Sequence, residues 1–320
     1  MYLITTQEKS KPMNNFTNKL YILSKDRSEY IELIKQSSLE ELEITEDPSQ
    51  AEIILADPPM IASQLEHFPK LNWLQSTFAG IDSLVSPELR TDYSLTNVKG
   101  IFGQQISEYV IGQSLNYYRH FARYQQQQTD GQWLPHQYQS LNEKSILILG
   151  CGDIGSHLGR VCNVFGMKTG GVNSSGIPPK TSPFKHTFHI SELHSVIADA
   201  DIIVNTLPNT PQTENILNKD VLSQAQQALL FNVGRGEAID DQALVDAIES
   251  GYVAHAYLDV FRQEPLPADS ALWHNPKITL TPHIAALSFP SQVFEQFTDN
   301  YNRWRDGFRL TNLVDFNKGY

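Results

Sequence analysis

Three side chains with useful chemistry, Arg235, Glu264 and His283, each sit in a short polar stretch at the end of an apolar run. Arg235 lies in NVGRGEAID after Leu229–Val233, Glu264 in LDVFRQEPLP closing Ala254–Leu258, and His283 in TPHIAA after Ile278–Leu280. A fourth stretch, TLPNTPQT, follows Asp201–Asn205. If these runs are parallel strands, all four stretches gather at their carboxyl ends, where open α/β sheets bind ligands. An always-charged donor, a carboxylate and a proton carrier would then share one edge of a sheet.

A fifth feature says what could bind there. Residues 145–165 read SILILGCGDIGSHLGRVCNVF, an apolar strand entering a glycine loop and then an amphipathic helix (Ile154, Leu158, Val161, Phe165). In that setting G-x-G-x-x-G signals dinucleotide binding far better than the six letters alone. Gly150 permits the tight turn, Gly152 lets a pyrophosphate approach the backbone, and Gly155 lets helix and strand pack closely. The helix start supplies free N–H groups and positive partial charge. Cys151 reads as a small loop residue rather than a reactive thiol. A ribose-binding Asp or Glu is usual about 20 residues further on, near Val172–Ser175. No Asp or Glu occurs from Ile154 to Ser191, whereas Lys168, Lys180 and Lys185 do. Nothing there would repel a 2′-phosphate, and Asn173, Ser174 and Ser175 could hydrogen-bond one. NADP is therefore the expected cofactor, with NAD also accepted.

Taken in order, GCGDIG, TLPNTPQT, NVGRGEAID, LDVFRQEPLP and TPHIAA closely resemble the D-isomer-specific 2-hydroxyacid dehydrogenases. PNTPQT, EPLPADSALW and the closing VDFNKGY are most similar to the glyoxylate/hydroxypyruvate reductase A branch of that family. The resemblance implies two doubly wound, Rossmann-like parallel-sheet domains of the α/β class, with the active site in the cleft between them. It implies an oxidoreductase moving hydride from NAD(P)H to a small 2-oxoacid to give the D-2-hydroxyacid. Arg235 would hold the substrate carboxylate and polarise the carbonyl, His283 would protonate the carbonyl oxygen, and Glu264 would orient the His283 ring and favour its charged form. Phe78, Ala79 and Gly80 match the loop whose backbone N–H groups meet the carboxylate. On the cofactor side the matched positions are Gly150, Gly152, Asp153, Ile154, Leu207, Thr213, Val233, Asp259, His283 and Ala285. For Asp259 a purely structural role at a strand end is the competing reading. Because transcriptional corepressors share this fold and these motifs, a non-enzymatic dinucleotide sensor is the alternative. Phosphoglycerate and formate dehydrogenases fit the chain length less well.

The elements that would position these groups alternate along the chain, as parallel α/β sheets require. Leu20–Leu23, Ile53–Ala56 and Trp73–Gln75 read as strands, with helices over Tyr30–Ile34 and Ile61–Phe68. After Gly103, the spacing of Ile111, Leu115, Tyr118 and Ala122 predicts one long helix. Ile146–Leu149 opens the second alternating series; its run Ile-Leu-Ile-Leu and the run Leu-Leu-Phe of Leu229–Val233 are apolar throughout, as expected for strands covered on both faces. Asp240 is a natural N-cap and Gly251 a natural stop for a helix over Asp241–Ser250. The apolar pattern after Pro290 (Val293, Phe294, Phe297, Tyr301, Trp304) predicts a last helix returning to the first domain. A discontinuous substrate-binding domain, 1–111 with 291–320, and a dinucleotide-binding domain, 112–290, follow, with 1–18 loose and Met13 an alternative start. The glutamine run Gln125–Gln128 reads as an exposed helix surface.

Composition narrows the partners. Of 320 residues 40% are hydrophobic and 19% charged, and 24 basic against 36 acidic side chains leave a formal charge of −12. No basic patch for nucleic acid or anionic membrane is evident. No run approaches the ~20 apolar residues of a membrane span, and no signal peptide is apparent. Cys151 and Cys162 are too few for a disulfide framework, so a cytoplasmic protein is expected. His186, His189 and His194 lack metal-binding spacing and read as a loop-to-helix region; no metal is expected. The segment after Gly103 and Trp133 matches that through which family members pair, and Trp133, Leu134 and Tyr138 need cover, so a homodimer is expected.

Overall fold

The computed structural model describes residues 17–316. The expectations for 1–18 and Met13 lie outside them, except that Asn18 already opens the first strand; the last four residues of VDFNKGY lie outside as well. In chain order the elements are β1 (Asn18–Leu23), α1 (Arg27–Gln36), β2 (Leu42–Ile44), β3 (Ile53–Ala56), α2 (Pro58–Ile61), β4 (Trp73–Ser76), β5 (Ser94–Thr96), α3 (Phe102–Tyr118) and α4 (Phe121–Thr129). Then follow β6 (Ser145–Leu149), α5 (Asp153–Val164), β7 (Lys168–Asn173), β8 (His186–His189), α6 (Leu193–Val196), β9 (Ile202–Asn205), α7 (Lys219–Leu222), β10 (Ala228–Asn232), α8 (Asp241–Glu249), β11 (Val253–Leu258), β12 (Ile278–Leu280) and α9 (Pro290–Arg305).

They form two compact units. One holds the described residues up to Asn97 together with those from Pro290 on; the other holds Val98–Phe289. The first contains the sheet β2-β1-β3-β4-β5, the second the sheet β12-β11-β10-β9-β6-β7-β8. Every pairing within them is parallel. Both orders reverse direction beside their first strand, the doubly wound pattern that opens a ligand crevice at the reversal. In the second sheet that point lies between β6 and β9. Strands β3, β4, β9 and β10 are buried along their whole length. Strands β3, β9 and β10 are accordingly apolar runs rather than alternations, whereas β4 buries Gln75 and Ser76, whose side chains are hydrogen-bonded.

Helix α9 belongs to the first unit by its packing. Its Phe297 stacks on Trp73 at 5.4 Å between ring centres, and the buried Asn300 donates to Gln75 Oε1 at 3.2 Å. The expected cut between 111 and 112 falls inside α3. The whole helix lies in the second unit because Ile106, Val110 and Ile111 pack with Ile148, Val204 and Phe231.

Local departures from the sequence reading have local causes. The expected long helix stops at Tyr118 because His120 takes φ +59°, so Ala122 lies exposed in α4. Ala62–His67 winds as a 3₁₀ helix after the single turn of α2. The edge strands β2 and β5 are three residues each, too short to show a pattern. Of the glutamine run, Gln127 is buried, with its Nε2 donating to His136 Nε2 at 2.7 Å. Asp240 caps α8 through Ala243 N–H at 3.0 Å, and Gly251 closes it at φ +79°.

Candidate active site

The glycine loop joins β6 to α5. Gly150 takes φ +104°, and a Cβ there would meet Thr206 Oγ1 at 2.5 Å. A Cβ on Gly155 would lie 1.8 Å from the Gly150 carbonyl oxygen, so α5 is pressed against the turn. At Gly152 a Cβ would meet nothing within 4 Å. Backbone open at Gly152, beside the start of a twelve-residue helix, fits a pyrophosphate. Asp153 opens the helix and accepts the Gly100 N–H at 2.9 Å; Ile154 packs partly buried on the core. Cys151 is half-buried with its thiol pushed up to about 11 by burial, and buried Cys162 is pushed up to about 12. Neither has the thiolate character of a reactive cysteine.

Beyond β7 the polar loop is organised by Asn173. Its Oδ1 accepts the N–H groups of Ser175 at 3.0 Å and Gly176 at 2.7 Å, while its Nδ2 donates to Ile177 O at 2.8 Å. Ser174 and Ser175 are exposed at the tip. Two of the three nearby lysines are misplaced for a role here. Lys168 opens β7, about 16 Å along the strand from Asn173, and pairs with Glu143 at 3.0 Å. Lys185 precedes β8, its N–H bound to Thr169 O at 2.9 Å, also at the amino end of the sheet. The stretch holding His186 and His189 is a strand, β8, rather than a loop leading into a helix. Its last residue, His189, is the register partner of Asn173. Sequence reading missed this neighbour because HTFH alternates too briefly to announce a strand.

The other loops follow β9 to β12. Asn205 and Asn232, fully buried at the ends of β9 and β10, are joined by a hydrogen bond in which Asn205 Nδ2 donates to Asn232 Oδ1 at 2.9 Å. Asn205 Oδ1 accepts Leu207 N–H at 3.2 Å, and Asn232 Nδ2 donates to Arg235 O at 2.9 Å. These two asparagines set the loops that carry Leu207 and Arg235. Buried Thr213 closes its own turn, its Oγ1 donating to Pro208 O at 2.7 Å. Val233 N–H binds Asn205 O at 3.1 Å. The glycines flanking Arg235 are imposed by contact. A Cβ on Gly234 would lie 2.7 Å from Leu207 O, and one on Gly236 would lie 2.0 Å from the Phe261 carbonyl carbon. The Arg235 side chain is half-buried, with one Nη1 bond to Gly234 O at 2.7 Å.

His283 and Glu264 meet directly, Nδ1 to Oε2 at 2.8 Å, while Glu264 Oε1 accepts Phe261 N–H at 2.9 Å. The pair is partly exposed, which leaves His283 Nε2 as the ring nitrogen for a substrate. His283 takes φ +54°, a left-handed conformation uncommon outside glycine. Asp259, 2% exposed, holds it there. Its carbonyl accepts His283 N–H at 2.8 Å, and its carboxylate accepts Ile284 and Ala285 N–H, each at 2.9 Å, and Thr281 Oγ1 at 2.6 Å. Three donors on a buried carboxylate make Asp259 the anchor of the His283 loop. Both readings of this residue are compatible with that placement.

Phe78, Ala79 and Gly80 lie in the first unit, in the loop after β4. Phe78 N–H donates to Ser76 Oγ at 2.9 Å, and Asn97 Nδ2 donates to Ala79 O at 2.8 Å. Among the described residues, no three or more His, Cys, Asp or Glu side chains gather to hold a metal, and no helix is long and apolar enough to cross a membrane.

Arginine, histidine and glutamate on neighbouring strand ends, beside a glycine loop open to pyrophosphate, mark a dinucleotide-dependent oxidoreductase class. Residues 111–285 match the family model for the D-isomer specific 2-hydroxyacid dehydrogenase, NAD binding domain. A glyoxylate/hydroxypyruvate reductase A from Escherichia fergusonii is 34% identical over 251 residues, 76% of this chain and 80% of that protein. Among solved structures, a D-isomer specific 2-hydroxyacid dehydrogenase family protein from Aeromonas salmonicida subsp. salmonicida A449 aligns at a TM-score of 0.89 and 40% identity, over 94% of this chain and 99% of that one. A D-isomer specific 2-hydroxyacid dehydrogenase from Xanthobacter autotrophicus Py2, in complex with NADPH and MES, aligns at 0.83 and 27% identity, over 95% and 100%. The chain belongs to the D-isomer specific 2-hydroxyacid dehydrogenase family, whose members are NAD(P)-dependent enzymes.

Proposed function

We propose that this enzyme reduces a small 2-oxoacid of the glyoxylate or hydroxypyruvate type to the D-2-hydroxyacid, with NADPH preferred over NADH. The observation that carries the reading is the 2.8 Å His283–Glu264 pair, at the ends of β12 and β11, the two strands beyond the β10 end that carries Arg235. When bound, the reduced nicotinamide supplies the hydride to the carbonyl carbon. His283 Nε2 gives its proton to the carbonyl oxygen, and the Glu264 carboxylate, bonded to Nδ1 at 2.8 Å, orients the ring for that transfer. Arg235 holds the substrate carboxylate through its planar donor fork. A steady-state screen of glyoxylate, hydroxypyruvate, pyruvate and phenylpyruvate with both cofactors tests it. Fastest turnover is expected on one of the first two, and absence of turnover on all four would return the protein to the dinucleotide-sensor reading.

The NADPH preference rests on the carboxylate-free loop after β7, and the Xanthobacter relative solved with NADPH supports it. Wild-type kcat/KM is expected to be about tenfold higher with NADPH than with NADH, equivalent to ~1.4 kcal/mol. Ser174→Asp should reverse that order by repelling the 2′-phosphate. Ser174 is a cleaner position than Asn173, because Asn173→Asp also removes the Nδ2 bond to Ile177 O.

Glu264→Ala removes the carboxylate that holds His283 Nδ1 at 2.8 Å, so kcat should fall by about tenfold or more while the KM for the oxoacid changes much less. Steady-state kinetics on the two proteins checks this. An unchanged kcat would remove Glu264 from the pair.

A homodimer accounts for Trp133 at 95% exposure beside Leu134 at 52% and Tyr138 at 58%. Light scattering at micromolar concentration should give twice the 36.2 kDa chain mass. A cytoplasmic setting fits the two free thiols.

A further inference from the structure

The loop from Thr281 to Leu287 carries His283, and helix α3 grips it at both ends. Gln105 makes a two-point contact with the Leu287 backbone: its Oε1 accepts the N–H at 2.8 Å and its Nε2 donates to the carbonyl at 3.0 Å. One helical turn further on, and so on the same face, Tyr109 bonds Thr281 Oγ1 at 2.8 Å. The Thr281 hydroxyl proton is committed to Asp259 Oδ1 at 2.6 Å, so Tyr109 must be the donor in its own bond. A directed chain results, Tyr109 to Thr281 to Asp259. Asp259 in turn binds the N–H groups of Ile284 and Ala285, the two residues after His283. The Tyr109 ring is itself held, edge-on to Phe231 at 6.5 Å in the core of the second sheet.

This arrangement has a physical purpose at the residue it encloses. His283 sits at φ +54°, which the chain adopts readily only when its surroundings hold it there. The side chain must also reach Glu264 within 2.8 Å while Nε2 stays free. A proton donor displaced by a fraction of an ångström loses rate steeply, because the reaction needs its geometry more than its binding. We propose that Gln105 and Tyr109 of α3, acting through Leu287 and Thr281, are positioning residues that fix the backbone of the His283 loop in its proton-donating conformation. The inference rests on His283 being the proton donor.

The test uses the full-length protein with NADPH and whichever of glyoxylate or hydroxypyruvate the wild type reduces faster. Gln105→Leu, Tyr109→Phe and Thr281→Val should each lower kcat about three- to tenfold, the effect of one or two lost hydrogen bonds. The KM for the oxoacid, and the NADPH Kd from fluorescence titration, should stay within about twofold of wild type, since the affected groups orient His283 rather than bind. Thr281→Ser retains the hydroxyl and should restore kcat to within about twofold, an outcome that a bulk packing role for the side chain would not produce. Tyr109→Phe should add little on the Thr281→Val background, because both break the same chain, whereas Gln105→Leu should add its full effect. Wild-type kcat in Tyr109→Phe and Thr281→Val, or losses appearing in NADPH Kd instead of kcat, would overturn the proposal. His283→Asn separates the two levels. If it keeps wild-type kcat, the donor assignment fails; if it is inactive while the α3 variants are unaffected, only the positioning role fails.

Discussion

Replacing His283 by alanine should lower kcat for 2-oxoacid reduction by roughly 10²–10⁴, the contribution typical of a positioned general acid. The hydride can still be offered to the carbonyl carbon, but the developing alkoxide then has water as its proton source. Arg235 remains in place, so KM should change much less than kcat. The fold should survive, because the side chain is half-exposed and its neighbours are bound through backbone groups: Asp259 takes the N–H groups of residues 283, 284 and 285. His283→Asn is the better control for backbone strain, since asparagine tolerates the left-handed φ of this position more readily than alanine. Turnover within a fewfold of wild type in both variants would move the proton donor elsewhere.

Arg235→Lys keeps the charge and should still cost about 10- to 100-fold in kcat/KM, the range for lost hydrogen bonds to a charged group. A planar guanidinium can meet both oxygens of a carboxylate, and an ammonium on a flexible stem cannot reproduce that fork. The structure adds a second loss. The Arg235 Nη1 bond to Gly234 O at 2.7 Å holds the side chain against its own loop, and a lysine there loses that planar anchor. KM should rise and kcat fall together, because in the proposed role the same contact would bind the substrate and polarise its carbonyl. A kcat/KM within about threefold of wild type would separate Arg235 from the substrate carboxylate.

Much of the architecture could be read from residue order because its signals are short-range. A strand buried on both faces tends to be apolar throughout, so Ile53–Ala56 and Ile146–Leu149 stand out against their polar flanks. Gly150 and Gly155 declare themselves because a side chain at either would strike Thr206 or the Gly150 carbonyl. The return of the last helix to the first unit followed from an apolar face, Val293, Phe294, Phe297 and Tyr301, that needed a sheet to cover. Where the signal is brief it does not mark an element: β8 is four residues at the sheet edge, and nothing in HTFH points to His189 lying beside Asn173.

By itself, then, the sequence determined which chemical groups this protein owns and at which strand ends they emerge, since both are properties of residue type and local periodicity. Tertiary structure alone decided what each polar group spends its hydrogen bonds on. Asp259 serves as the anchor of the His283 loop, Asn173 holds its own turn, Lys168 points its charge at Glu143 on the far side of the sheet, and Gln105 and Tyr109 reach residues more than 170 positions away. Such bonds join groups brought together only when the sheet is assembled. Their partners leave no periodic trace in the chain, because one hydrogen bond constrains two side chains in space and nothing about the residues between them.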